Sequence, residues 1–107
     1  MAASATSPAF DLAGEGGTLL AAGPLTFASA RRAREAGLGA LARGGDGALL
    51  IDCKGLTDSD SAGLTVLIDW LAAAKAAGRS LRFANLPQGL AALGRISEVD
   101  ELLARGV

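Results

Sequence analysis

Ala48-Leu49-Leu50-Ile51-Asp52-Cys53, Lys54-Gly55-Leu56-Thr57-Asp58-Ser59-Asp60 and Ser61-Ala62-Gly63-Leu64-Thr65-Val66-Leu67-Ile68-Asp69-Trp70-Leu71 follow one another without a break and decide the fold of this 107-residue chain. The first stretch is a continuous apolar run closed by a carboxylate, which predicts a strand buried on both faces, as in a parallel sheet. The second is polar and predicts a loop. The third opens on small hydroxyl and acidic residues. It then places Leu64, Leu67, Ile68 and Leu71 at i, i+3, i+4 and i+7, the core-facing spacing of a helix that runs to Gly78.

Downstream, Leu81-Arg82-Phe83-Ala84-Asn85 alternates as a half-buried strand. Pro87 suits the first turn of a third helix with Leu90, Leu93 and Ile96 inward. Ser97 is placed to cap a short last helix carrying Val99, Leu102 and Leu103. Upstream, Phe10 to Leu12 reads as a short edge strand, Gly16-Gly17 as a turn, and Thr18 to Ala22 as a strand ended by Gly23-Pro24. Thr26 or Ser29 then caps a helix from Phe27 to Arg43, which Gly37 and Gly39 weaken and Gly44-Gly45-Asp46-Gly47 stops. Strands alternating with helices imply crossovers. The expected fold is α/β: a mixed sheet of about four strands with about four helices, in a single domain over residues 9–107. Residues 1–8, small and polar with neither a cationic nor an apolar region, are expected to be a disordered tail rather than a secretory signal.

Composition narrows the function. Ten Lys plus Arg against eleven Asp plus Glu leave a net charge of −1, without the basic stripe of a nucleic-acid binder or a polybasic membrane-surface module. No apolar run approaches the length of a membrane span, so direct membrane insertion is not expected. The chain has no His and a single Cys, Cys53, so the usual general base, internal disulfides and thiolate metal clusters are all missing. No catalytic residue, metal ligand or cofactor site is therefore expected, and the chain reads as cytoplasmic. Cys53 reads as a buried strand-end residue, not a nucleophile. With 24 Ala and 15 Gly but only three Val and three Ile, the core must rest on 18 Leu, three Phe and Trp70. So thin a core would gain stability from a partner that covers more apolar surface.

The chemistry that remains sits around Asp58-Ser59-Asp60-Ser61-Ala62-Gly63. A calcium loop would put Asp58, Asp60 and Gly63 at positions 1, 3 and 6. Position 5 is then Ala62, and Asp69 stands where a bidentate Glu is needed, inside a stretch already committed to a helix. The stretch reads instead as a helix N-terminus, where Asp58, Ser59, Asp60 and Ser61 offer acceptors to free backbone N–H groups. A hydroxyl there is also a modifiable group. A phosphate on it would meet those N–H groups and two neighbouring carboxylates. A small nucleotide-binding protein finds no support, because no Gly-rich phosphate loop is present. On a helical wheel, Ala62, Val66, Trp70, Ala73 and Ala77 point away from the leucine face. They are expected to form a protein-binding strip with a Trp anchor and with Thr65 and Asp69 as polar rim.

The run from Asp52 to Leu67 resembles the central signature of STAS domains: a strand ending in Asp, a short loop, then Asp-Ser-x-Gly-Leu opening a helix, here Asp60-Ser61-Ala62-Gly63-Leu64. Anti-sigma-factor antagonists carry it, and in them the matching Ser is phosphorylated by a partner kinase. Gly23-Pro24-Leu25-Thr26-Phe27-Ala28-Ser29-Ala30, Asp69-Trp70-Leu71, Lys75-Ala76-Ala77-Gly78, Leu81 to Pro87 and Ile96 to Leu103 are similar to the MlaB type within that family. Members of that type are small cytoplasmic subunits of a phospholipid ABC transporter in Gram-negative bacteria. The resemblance implies a STAS-type mixed sheet with its helices mainly on one face. It implies a non-enzymatic regulatory subunit that binds the transporter's ATPase through Ser61 and the helix after it, lying peripheral to the inner membrane through that complex. The alternative it implies is an anti-sigma-factor antagonist, with an anti-sigma-factor kinase as partner and Ser61 as the phosphorylated residue.

Overall fold

The computed structural model describes residues 9–43 and 47–107. The expected tail and most of the Gly44–Gly47 stop lie outside those residues. The element order is β1 (Asp11–Glu15), β2 (Thr18–Leu25), α1 (Ala30–Ala42), β3 (Leu49–Ser59), α2 (Ser61–Ala76), β4 (Leu81–Ala84), α3 (Gln88–Ile96) and α4 (Asp100–Arg105). The strands form one sheet in the order β1-β2-β3-β4. The β1–β2 hairpin is antiparallel, while β2–β3 and β3–β4 are parallel. Each parallel step is crossed by a helix, as the alternation of elements requires. No helix among the described residues is long and apolar enough to cross a membrane.

The sheet is covered on one side. Leu19, Ala21 and Leu25 of β2 and Leu49, Ile51 and Cys53 of β3 are buried, while Thr18, Leu20 and Ala22 and then Leu50 and Asp52 stay exposed or half-buried. This corrects the expectation that β3 is buried on both faces. Its apolar run fits a parallel interior strand, but among the described residues its other face is only half-buried.

Two strands run further than expected. The polar stretch Lys54–Ser59 is not a loop: Gly55 pairs with Ala22, Leu56 with Gly23 and Ser59 with Leu25. The same ladder carries β2 past Gly23 to Leu25. Pro24, which has no N–H to donate, falls at a register irregularity between Gly23 and Leu25. Helix α1 starts three residues late because Thr26 to Ser29 fold as a turn. The Ser29 hydroxyl accepts from the Thr26 N–H at 3.0 Å and donates to the Pro24 carbonyl at 2.7 Å, leaving the helix amides uncapped by it. Ser97 does not cap the last helix; it ends α3, and Val99 precedes α4.

Helix α2 packs between α1 and α3 above the sheet. Leu64, Leu67, Leu71 and Ala74 are buried, and so are Val66 and Trp70. The far strip is thus not a surface. Trp70 is 0% exposed and Val66 3%. The indole lies against α1, where its Nε1–H donates to the Ala33 carbonyl at 3.2 Å. It also packs tilted against Phe10 and Phe83, with ring centroids 6.1 and 6.5 Å away. Ala73 is half-buried and only Ala77 of that strip is exposed. A helix apolar all round is a buried helix, and here neighbouring α1 supplies the second cover.

Candidate functional site

The C-terminal ends of the parallel strands β2 and β3 meet the N-terminus of α2, as in open α/β sheets generally. The join is made by Asp60. It sits just before α2 with extended backbone (φ −147°), and its side chain caps the helix by accepting from the Gly63 N–H at 3.0 Å through Oδ1. Its second oxygen, Oδ2, accepts from the Phe27 N–H at 3.0 Å, across 33 residues of chain. The carboxyl is held below its ordinary range, first by the Phe27 amide and then by the Gly63 amide. One carboxylate therefore caps α2 and fastens the β2–α1 turn to it.

Gly63 is fixed by a close approach. A Cβ there would lie 2.1 Å from the Leu25 carbonyl oxygen, so only glycine lets the first turn of α2 seat on the end of β2. Ser61, the first residue of α2, is exposed, and no hydrogen bond among the described residues occupies its hydroxyl. Thr65, one turn on, is exposed and donates its hydroxyl back to the Ser61 carbonyl at 3.1 Å. Ala62 is half-buried beside them.

Of the expected cap residues, Asp60 alone accepts from the helix amides. Asp58 and Ser59 belong to β3: Asp58 is exposed near its C-terminal end, and Ser59 pairs with Leu25. Asp69 is drawn off into an exposed ion pair with Arg34 of α1 at 3.2 Å. Exposed pairs of this kind contribute little to stability. The structure thus gathers Asp58, Ser59, Asp60, Ser61, Ala62 and Thr65 at one end and removes Val66 and Trp70 to the core. Gly63 is there as a spacer.

One residue of this end was not singled out from the sequence. Phe27, expected inside the first helix, stands in the β2–α1 turn and is 83% exposed. The Gly23-Pro24 breaker just ahead of it is the sequence signal that a turn, not a helix, occupies this stretch.

The arrangement gathers hydroxyls, an exposed carboxylate and an exposed aromatic ring at one end of the sheet. A four-stranded mixed sheet of this order, with a serine opening the helix after β3, is the STAS fold. The family model described as Mlab, STAS domain, matches residues 9–104, and the chain belongs to that family. Among solved structures the chain is similar to the anti-sigma-factor antagonist SpoIIAA in its unphosphorylated form. The TM-score is 0.68 at 17% identity, with 87% of this chain and 84% of that one covered. None of the curated proteins compared with it matches.

Proposed function

We propose that the protein is a non-catalytic regulatory subunit that docks on the ATPase of an ABC-type phospholipid transport system. It would act on the cytoplasmic side, next to the inner membrane through that partner. The match of an MlaB-described family model to residues 9–104 is the observation that carries this reading. The exposed start of α2 around Ser61 and Thr65 supplies the contact surface, with Asp58 at its edge. Co-purification with the ATPase subunit of such a transporter from the same organism tests the reading. Ser61→Arg and Thr65→Arg put bulk on exposed positions and are expected to abolish the complex while leaving the fold intact. A complex that survives both changes would exclude this end of the molecule.

A second reading, an anti-sigma-factor antagonist switched by phosphorylation of Ser61, is favoured by the likeness to SpoIIAA. A phosphate on Ser61 would stand at a helix N-terminus, which suits an anion. It would also stand beside Asp60, which already holds the Gly63 amide, and near Asp58. An 80-dalton mass gain (on the order of one phosphate) after incubation with the cognate kinase, absent in Ser61→Ala, would favour this reading over the first.

A further inference from the structure

Two large apolar side chains stand almost fully in solvent, Phe27 at 83% and Ile96 at 79% exposure. Ile96, expected inward, instead closes α3 on its exposed side. Phe27 is different, because its backbone is tied directly to the residue that caps α2. Its N–H is bound by the Asp60 carboxylate at 3.0 Å, its carbonyl accepts from the Ala30 N–H at 3.4 Å, and the turn around it is closed by the Ser29 hydroxyl. An exposed aromatic ring gains nothing for the isolated fold. A restrained one gives up less freedom when it is buried by a partner, and such residues are the usual anchors of an interface.

We propose that Phe27 is the apolar anchor of the docking surface at this end of the sheet and that Asp60 is its positioning residue. This rests on the reading that the start of α2 meets a protein partner. The partner must present an apolar pocket for the ring. Its rim must carry cationic or hydrogen-bond-donating groups, since Asp60, which binds the Phe27 N–H, lies in sequence between exposed Asp58, which no cation among the described residues pairs, and Ser61, whose exposed hydroxyl is open. Asp60 contributes by holding the ring's backbone against α2. Its own oxygens are already taken by Phe27 and Gly63.

The test uses the full chain and the purified ATPase subunit, with affinity read by titration. Phe27→Ser is expected to weaken binding roughly tenfold to a hundredfold, and Ile96→Ser, the matched control, to leave it within about twofold. Asp60→Asn keeps an acceptor for Gly63 but loses the one facing Phe27. It is expected to speed amide exchange at Phe27 and not at Gly63. It should weaken binding in the native background and have little effect in the Phe27→Ser background, because the two residues act through one contact. If the native chain binds and Phe27→Ser binds equally well, the anchor is refuted while the ATPase reading stands. Equal losses from Asp60→Asn in both backgrounds would refute the positioning role. If the native chain fails to bind the ATPase at all, the functional reading falls and the anchor falls with it.

Discussion

Asp60 ties two segments of chain with one carboxylate, and its ionisation state decides whether both ties hold. Its carboxyl is held below the ordinary range by the Phe27 and Gly63 amides. A depressed folded pKa contributes stability above the unfolded value, about 3.9, and that contribution is lost as pH falls through the folded value. The Phe27 turn is therefore expected to stay fastened from neutral pH down to about 4 and to loosen only below it. The amide shift of Phe27, followed by NMR, should inflect below that point; an inflection above it would contradict the double tie. Asp52 titrates in the same direction, chiefly through the Asn85 amide at 3.0 Å and then the Lys54 N–H. Cys53 moves the other way. Burial, and then the charge of Asp52, push its thiol up to about 12. A raised thiol pKa contributes stability below the unfolded value, about 8.5, and loses it as pH rises toward the folded one. Iodoacetamide at pH 8 should leave Cys53 of the native protein unmodified and react in step with unfolding in denaturant. At this scale the sequence was legible wherever the contact is local. Asp60, Ser61 and Gly63 could be read because a cap and the N–H that donates to it lie three residues apart. Phe27 could not, because the group that holds it is 33 residues away.

At the scale of elements, the glycine that appeared to weaken α1 is the one that lets α2 in. A Cβ on Gly37 would fall 2.0 Å from the Trp70 Nε1 atom, so the indole occupies the space a side chain would need. Gly37→Ala gains helix propensity and still should destabilise, by about 1–3 kcal/mol from overpacking, measured by urea unfolding. A neutral or stabilising result would mean that the two helices separate easily. Trp70→Ala should cost about 3–5 kcal/mol, so any binding it abolishes reports the fold and not a contact. The order of the elements was legible because apolar period and breakers are local properties. The burial of Val66 and Trp70 was not, since a helical wheel has two apolar sides and cannot say whether the second faces solvent or α1. The end of α1 shows a second long-range device. Arg79, 5% exposed, donates from Nη1 to the carbonyls of Leu41 at 2.9 Å and Arg43 at 2.8 Å, and from Nε to that of Gly47 at 2.9 Å. A cation suits the last carbonyls of a helix. Arg79→Leu leaves these acceptors without their donor and is expected to cost at least about 1–3 kcal/mol, with faster amide exchange in the last turn of α1. Arg79→Lys restores the charge but not the fork and should recover only part of it.

At the scale of the molecule, all the helices lie on one face of a four-stranded sheet, and the core is a single layer between them. Its largest fully buried side chains are Trp70, Phe10, Leu25, Ile51, Leu67, Leu71, Leu81, Leu90 and Leu103. That is largely the leucine-based core the composition implies, with Phe10 and Phe83 packed on Trp70, but Phe27, expected to contribute to it, stands in solvent. One strand edge is shielded: Val107 exchanges two backbone hydrogen bonds with Leu81 of β4, at 3.0 and 3.3 Å, and accepts a third from the Ser80 hydroxyl. A domain with so little buried beyond one layer has a modest margin over chain entropy, so ligation of the native state should register strongly in its stability. A partner present at about a hundred times its dissociation constant adds about 2.7 kcal/mol. At about 4–8 °C per kcal/mol for a domain of this size, the melting temperature should rise by more than about 10 °C when the ATPase subunit saturates the protein. With the contact surface at the end of the sheet and not in the core, Phe27→Ser should melt like the native chain alone and lose from about half to most of the rise at the same ATPase concentration. A variant that melted early by itself would instead place Phe27 in the fold. A full rise in the variant would place the docking surface elsewhere on the molecule.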